Sequence, residues 1–271
     1  MSDASKAAVV EKHVTPDDAI RKLEFLPQHD DISLASRVFY FGCIVAAGVL
    51  LVVNVVRIQE VLDVFPLWLP FVALAGMVAA DFVSGLVHWT ADTWGRISMP
   101  ILGRRFLHPF RVHHVNPHDF LRRRVLETNG DTAMLVTPFL ALTLFIPLGT
   151  LGPLVAAVFL TALCSVVLPT NQVHQWAHMP NPPGMVKPLQ NFGIILSRQA
   201  HGRHHSPPHV HNYCIALGWC NATLTAVDFW RRLEQLVSST TGIEPRADEA
   251  RFVSESEELM NRRIMGRQCD A

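Results

Sequence analysis

The chain has 271 residues, of which 49% are hydrophobic and only 17% are charged. Soluble proteins average about 25% charged residues, so this composition indicates a membrane protein. The formal net charge of zero argues against binding to nucleic acid. The five cysteines include no C-x-x-C pair, which argues against a disulfide framework or a cysteine-ligated zinc site.

The chain begins with a polar segment and continues into four apolar runs. Residues 1–34 show little periodicity and no early apolar stretch, so we expect a disordered N-terminal tail and no cleaved signal peptide. The apolar runs cover residues 38–56, 65–89, roughly 132–148 and 151–168. A membrane-spanning helix needs about 20 such residues. The sequence therefore predicts an all-α, polytopic membrane protein with about four transmembrane helices, the third being interrupted by Pro138 and Pro147.

Arginines predict the orientation of these helices. Seven arginines lie between the second and third runs, whereas the short turn at residues 149–153 has no charge. The positive-inside rule then places residues 92–131 and both termini in the cytoplasm. We expect a membrane-embedded domain over residues 35–235 and a cytoplasmic C-terminal tail over residues 236–271. The membrane would be the endoplasmic reticulum in a eukaryote or the inner membrane in a bacterium.

Histidines are concentrated at the ends of the apolar runs, with twelve of the fourteen between His88 and His211. Besides His88, the clusters are His113-His114, His174-x-x-x-His178 and His201-x-x-His204-His205. Residues three or four apart on a helix share one face, so each cluster can present several rings together. The arginine-based topology places all of them at the cytoplasmic side. Imidazole binds iron, copper and zinc, and the sequence therefore predicts a histidine-rich metal site there.

Eight histidines exceed the four ligands that a structural zinc takes, and they suit two metal ions with open positions for oxygen. Two irons bridged by an oxygen species can remove hydrogen from an unactivated C–H bond, chemistry that belongs to the cofactor. Asp92 lies four residues after His88, and Asp81 lies inside the second run, where an ionisable residue is a functional candidate. We predict Asp92 as a catalytic residue and Asp81 as a supporting one, each binding metal directly or accepting a histidine N–H.

Two other classes of protein fit parts of this pattern. A metal transporter would place its histidines at mid-bilayer or in a histidine-rich loop, whereas here they lie at the ends of the spans. A zinc-dependent membrane hydrolase is disfavoured because the sequence contains no H-E-x-x-H motif. The identity of the bound metal distinguishes the three classes.

Several long motifs follow one another along the chain. They are residues 81–95 (DFVSGLVHWTADTWG), 109–114 (PFRVHH), 127–131 (ETNGD), 171–178 (NQVHQWAH), 201–209 (HGRHHSPPH), 229–234 (FWRRLE) and 241–248 (TGIEPRAD). Over roughly residues 75–250 this series resembles the plasmanylethanolamine desaturase (Kua/CarF-like lipid desaturase) family.

The resemblance implies an iron-dependent, oxygen-using desaturase that introduces the 1′ double bond of a plasmanyl ether phospholipid, giving a vinyl-ether plasmalogen. Motif matching implies that the ligands of two iron ions are His88, His113, His114, His174, His178, His201, His204 and His205. It makes Asp92 and His209 supporting residues. A plastid relative that desaturates the palmitoyl chain of phosphatidylglycerol shares the histidine motifs and residues 212–215, which leaves acyl-chain desaturation as an alternative. Residues 229–234 and 245–248 favour the ether-lipid branch.

A desaturase also needs an external electron donor. The chain contains neither a G-x-G-x-x-G nor a C-x-x-C-H motif, so we expect the donor to be a separate protein. The resemblance implies cytochrome b5 or a ferredoxin. Arg104, Arg105 and Arg111 are predicted to offer an acidic partner a docking surface.

Overall fold

The computed structural model describes residues 32–62, 66–115, 117–206 and 209–246, which form helices joined by turns and include no strand. The helices are α1 (Leu34–Gln59), α2 (Leu69–Thr93), α3 (His108–Val115), α4 (Pro117–Arg122), α5 (Val125–Thr143), α6 (Leu151–Val167), α7 (Thr170–His178), α8 (Val186–Asn191), α9 (Arg198–His204), α10 (Asn221–Ala226) and α11 (Phe229–Thr241). A π-helical turn, Gly103–Leu107, leads into α3. The predicted all-α class is confirmed. Most of the predicted N-terminal tail lies outside the described residues, and α11 continues across the predicted domain boundary at 235.

Within the described part of the chain, three helical stretches are long and apolar enough to cross a membrane: α1, α2 and the α6–α7 pair from Leu151 to His178. Large apolar side chains such as Phe41 and Val52 on α1 are exposed, which suits a surface covered by lipid. The prediction of a membrane protein is therefore confirmed.

The predicted count of four spans is not confirmed, because α5 differs from the other three helices. Its first two turns contain Glu127, Asn129 and Asp131, so only its C-terminal half is largely apolar. The helix continues through Pro138 and ends at Thr143. Pro147 thus lies beyond the helix.

The long helices run as two parallel pairs. Tyr40 of α1 donates to Asp131 of α5 at 2.8 Å, and Arg57, near the other end of α1, donates to the Thr143 carbonyl at 3.0 Å. Gly76 of α2 lies against Phe159 of α6. Leu69 and Ala80 of α2 pack in the same clusters as Leu154 and Val166 of α6, respectively, so this pair is parallel as well. Because Gln172, just after α6, bonds to Asn129 in the first half of α5, the C-terminal ends of α2 and α6 lie at the same end of the bundle as the N-terminal ends of α1 and α5.

Polar side chains in α1 attach it to the C-terminal half of α5. The Asn54 amide nitrogen is buried and donates to the carbonyls of Leu50 and Leu140, each at 2.9 Å. The Arg57 guanidinium donates to the carbonyl of Thr143, the last residue of α5, and to that of Ile146 just beyond it. Carbonyls at a helix end have no partner within the helix, and inside a membrane they need one from the protein.

Candidate metal centre

Five imidazoles converge at the end of the bundle where α2 and α7 terminate. The rings of His113 (α3), His174 and His178 (α7), His201 (α9) and His205 each present one nitrogen, and these nitrogens all lie within 4.8 Å of one another. The Nε2 atoms of His174, His178 and His201 form a triangle with sides of 3.2, 2.8 and 2.9 Å. The Nε2 of His205 lies 3.0 Å from that of His201. We call this set the five-histidine group.

These separations match those between ligands of one metal ion. Metal–imidazole bonds of about 2.0–2.1 Å put neighbouring ligand nitrogens about 2.8–3.4 Å apart, from octahedral to tetrahedral arrangements. A ring nitrogen of neutral imidazole is either a donor or an acceptor. Hydrogen bonds therefore cannot form along all three sides of the triangle, because at least one side joins two donors or two acceptors. A cation at its centre would remove this conflict by accepting all the lone pairs.

The electrostatic environment keeps these rings in the form that binds metal. Burial holds the pKa of His113 and of His201 well below its ordinary value, and the neighbouring imidazoles lower it further. The pKa of His205 is lowered for the same two reasons. Among the described residues, none forms a hydrogen bond with the buried Nε2 of His113. Neutral rings with inward-facing lone pairs fit a metal ion.

A second group of potential ligands combines three imidazoles with a carboxylate. His88 and Asp92 lie one turn apart on α2, His114 lies on α3 and His204 ends α9; their ligand atoms also lie within 4.8 Å of one another. The Asp92 Oδ2 atom lies 2.9 Å from Nε2 of His114, 3.2 Å from Nε2 of His88 and 3.4 Å from Nε2 of His204. Burial lowers the pKa of His204 to about 3, although Asp92 opposes this shift. We call this set the Asp92 group, and its mixed nitrogen and carboxylate donors suit non-haem iron.

Backbone carbonyls orient two rings of the Asp92 group. Nδ1 of His88 lies 3.2 Å from the Tyr213 carbonyl, and Nδ1 of His204 lies 2.8 Å from the His211 carbonyl. A carbonyl can only accept, so each Nδ1 carries the proton and each Nε2 presents its lone pair to the group. Tyr213 and His211 were not predicted, because they act through backbone atoms. For Tyr213, the signal in the sequence is the motif at residues 212–215.

All eight predicted histidines therefore lie in these two groups, and Asp92 joins them, whereas His209 and Asp81, the other predicted supporting residues, lie outside. Nδ1 of His209 is 3.0 Å from the His204 carbonyl, and its ring centroid is 5.4 Å from that of His114. Asp81 is buried two turns before His88. Its carboxylate accepts from the backbone N–H groups of Leu217, Gly218 and Cys220.

Arg111 does not lie on the surface, so the predicted docking surface is wrong in this respect. The residue is only 1% exposed. Its Nε donates to the Ala91 carbonyl at 3.0 Å, and its Nη2 donates to the carbonyls of Trp94 and Gly95 at 2.6 and 3.0 Å. The Ala91 carbonyl belongs to the last turn of α2 and those of Trp94 and Gly95 follow it, at a helix end where a cation is favourable. Arg111 therefore stabilises the helix end that carries Asp92, while Arg105 is exposed as predicted.

A network of amide side chains holds α7 in place. The Gln175 amide nitrogen donates to the carbonyls of Phe120 and Arg123 at 2.8 and 3.0 Å. Its oxygen accepts from Gln172, whose own oxygen accepts from Asn129 of α5 at 3.2 Å. The polar residues of the motifs at 127–131 and 171–178 thus connect α4 and α5 to the helix that carries two of the five histidines.

The fold and the site define a membrane protein with two adjacent, histidine-rich groups of potential metal ligands. Residues 77–248 match the lipid desaturase domain family. This match covers more than half of the chain, which therefore belongs to that family. No solved structure matches the chain.

Curated relatives carry related names. Plasmanylethanolamine desaturase of Myxococcus xanthus is 43% identical over 176 residues, which are 65% of this chain and 63% of the relative. Plasmanylethanolamine desaturase 1 of Mus musculus is 41% identical over 186 residues, 66% of this chain and 68% of the relative. Fatty acid desaturase 4, chloroplastic, of Arabidopsis thaliana is 31% identical over 175 residues, 64% and 53% of the two chains. The matched region thus spans slightly less than two thirds of the Myxococcus xanthus relative and slightly more than two thirds of the Mus musculus relative.

Proposed function

We propose that the chain is an iron- and oxygen-dependent desaturase that introduces the 1′ vinyl-ether double bond into a plasmanyl ether phospholipid to give a plasmalogen. The observation that carries this proposal is the pair of adjacent, buried ligand groups at one end of a membrane bundle. The choice of an ether lipid is supported by identities of 43% and 41% to plasmanylethanolamine desaturases, against 31% to the chloroplast fatty acid desaturase. Desaturation of an acyl chain of phosphatidylglycerol or another phospholipid is the alternative.

We assign one iron ion to the five-histidine group and a second to the Asp92 group. Such an iron pair, when bound, activates molecular oxygen for removing hydrogen from an unactivated C–H bond. The residues of the chain supply neutral imidazoles with lone pairs directed inward. The Asp92 carboxylate supplies negative charge to balance the cations, and the buried rings of His88, His201 and His204 exclude water.

The electron balance requires a donor. Desaturation removes two hydrogen atoms, with two electrons, from the lipid, and reduction of one oxygen molecule to two waters takes four. A donor must supply the other two, and we propose cytochrome b5 or a ferredoxin. Exposed Arg105, Arg122 and Arg124 lie in the segment between α2 and α5, at the end of the bundle that carries the histidines. The positive-inside rule places this end in the cytoplasm, facing away from the lumen of the endoplasmic reticulum or from the periplasm.

Reconstitution tests the proposed reaction. The purified chain would be loaded with ferrous iron in nanodiscs containing an alkyl-ether ethanolamine phospholipid, and supplied with oxygen and a reductase chain. Mass spectrometry should detect a vinyl ether two mass units lighter than the substrate, and omission of the donor should prevent multiple turnovers. Parallel nanodiscs with palmitoyl phosphatidylglycerol test the alternative substrate. Product formation without oxygen would refute the proposed chemistry, and desaturation of phosphatidylglycerol alone would refute the proposed substrate.

A further inference from the structure

Asp81 is a carboxylate buried in the membrane-spanning helix α2, and the metal-binding groups do not include it. Burying a charge is costly unless it is well hydrogen-bonded. Its Oδ1 accepts from the N–H groups of Leu217 and Gly218, each at 2.8 Å, and its Oδ2 accepts from that of Cys220 at 2.9 Å. All three donors belong to an irregular stretch of chain, residues 213–220, which we call the α2-bound segment.

The rest of the α2-bound segment is held in a similar way. The Ser84 hydroxyl accepts from the Ile215 N–H at 3.0 Å and donates to the Asp81 carbonyl at 2.7 Å. The Asn221 side chain accepts from the Cys214 N–H at 3.0 Å and donates to the Cys214 carbonyl at 2.9 Å. Irregular backbone beside a membrane-spanning helix needs such protein partners, because lipid supplies none. The polar side chains of α2 thus determine the path of this segment.

The segment begins at the residue whose carbonyl orients a potential metal ligand. Nδ1 of His88 lies 3.2 Å from the Tyr213 carbonyl, and the two rings are 5.6 Å apart. We propose that Asp81 is a positioning residue for His88: it holds the α2-bound segment so that the Tyr213 carbonyl fixes the Nδ1–H tautomer and leaves Nε2 available to a metal. This inference rests on the metal centre of the proposed function and assigns Asp81 a role in that centre without contact to the metal.

The three N–H donors explain why a carboxylate is required. An asparagine side chain has one accepting oxygen and one donating nitrogen. In the Asp81→Asn variant the oxygen can keep the bonds to Leu217 and Gly218, but the new NH₂ group then faces the Cys220 N–H. A lost bond and two opposed donors at a buried site allow the segment to shift. The His88 ring would then lose its fixed acceptor and its defined orientation.

Cobalt titration tests this effect separately from activity. Co²⁺ would be added to the purified metal-free chain, its visible absorption recorded and its affinity for each group determined. A His88→Ala variant identifies the component that belongs to the Asp92 group. Partners behind a metal ligand typically change metal affinity 10–100-fold. We expect Asp81→Asn to weaken that component about tenfold and to leave the five-histidine component unchanged.

Two further variants complete the experiment. Ser84→Ala removes the acceptor of the Ile215 N–H but leaves the three bonds of the Asp81 carboxylate in place, so it should weaken the same component by a smaller factor while preserving the fold. Asp228→Asn is the matched control, since Asp228 is exposed and its side chain does not cap α11. Unchanged affinity of the Asp92 group in both Asp81→Asn and Ser84→Ala would overturn the inference. Equal weakening of the two components would also overturn it, as Asp81 would then be a general structural residue. If the unmodified chain bound fewer than two Co²⁺ ions, the proposed metal centre itself would fail.

Discussion

Replacing Gly76 by alanine should push α2 away from α6. A Cβ atom at this position would lie 2.4 Å from the Phe159 carbonyl oxygen and 3.2 Å from the Cβ of Ala162. An ordinary carbon–oxygen contact is about 3.3–3.6 Å, so the helices must separate by about 1 Å. Overpacking of this kind typically costs about 1–3 kcal/mol. Neither obstructing atom belongs to a flexible side chain, so rearrangement of a rotamer cannot relieve the contact.

Gly48→Ala in α1 is the control for this substitution. Apart from the neighbouring residues and backbone of its own helix, no described atom lies within 4 Å of a Cβ built at Gly48. Both variants gain the same helix propensity, so the free energy of unfolding of Gly76→Ala should be lower by about 1–3 kcal/mol, measured by denaturant titration in micelles. Activity should fall more steeply, by about a hundredfold, since α2 carries His88 and a displacement of 1 Å at a catalytic site has that effect. Equal stability and activity of the two variants would show that the helices do not pack as described.

Three further predictions concern the site itself. His178→Ala and His205→Ala should each abolish activity and lower bound iron while the protein remains in the membrane; retention of most activity by either would exclude that residue as a ligand. Asp92→Asn should reduce activity far more than Asp228→Asn, because only Asp92 supplies charge to three imidazoles, and equal activity in a vinyl-ether assay would contradict its role. The metal-free protein should lose stability as the pH falls from about 6.5 towards 3. Burial lowers the pKa of His204 to about 3, so over this range the unfolded chain binds a proton at His204 that the folded chain does not bind. Thermal unfolding across this range should show the decline, and a flat profile would contradict it.

Helical spacing predicted which histidines cluster, but it could not divide them between two groups. His174 and His178 are four residues apart and share a group, as spacing predicts. His113 and His114 belong to different groups because consecutive side chains on a helix point about 100° apart. Which of these two side chains faces which group depends on how α3 lies against α2 and α7. No local pattern in the sequence contains that information.

The same limit applies to buried charges. Asp81 and Arg111 were assigned functional roles because an ionisable residue in a span, or a basic one near the predicted site, often has such a role. The structure shows that both side chains bind backbone groups. The partners of Asp81 lie more than 130 residues away in the sequence. A rule based on local sequence therefore identifies an unusual residue without identifying its partner.

The distribution of ligands over the helices connects the two positions at which we propose that iron binds. α3 supplies His113 to the five-histidine group and His114 to the Asp92 group, so adjacent residues of one helix connect the two positions. His204 and His205, at the end of α9, do the same. By contrast, α2 contributes only to the Asp92 group and α7 only to the five-histidine group. Displacement of α2 or α7 therefore changes one position alone, whereas the spacing of the two positions is set by covalent neighbours. Such a fixed spacing suits the proposed reaction, in which two iron ions act on one oxygen molecule.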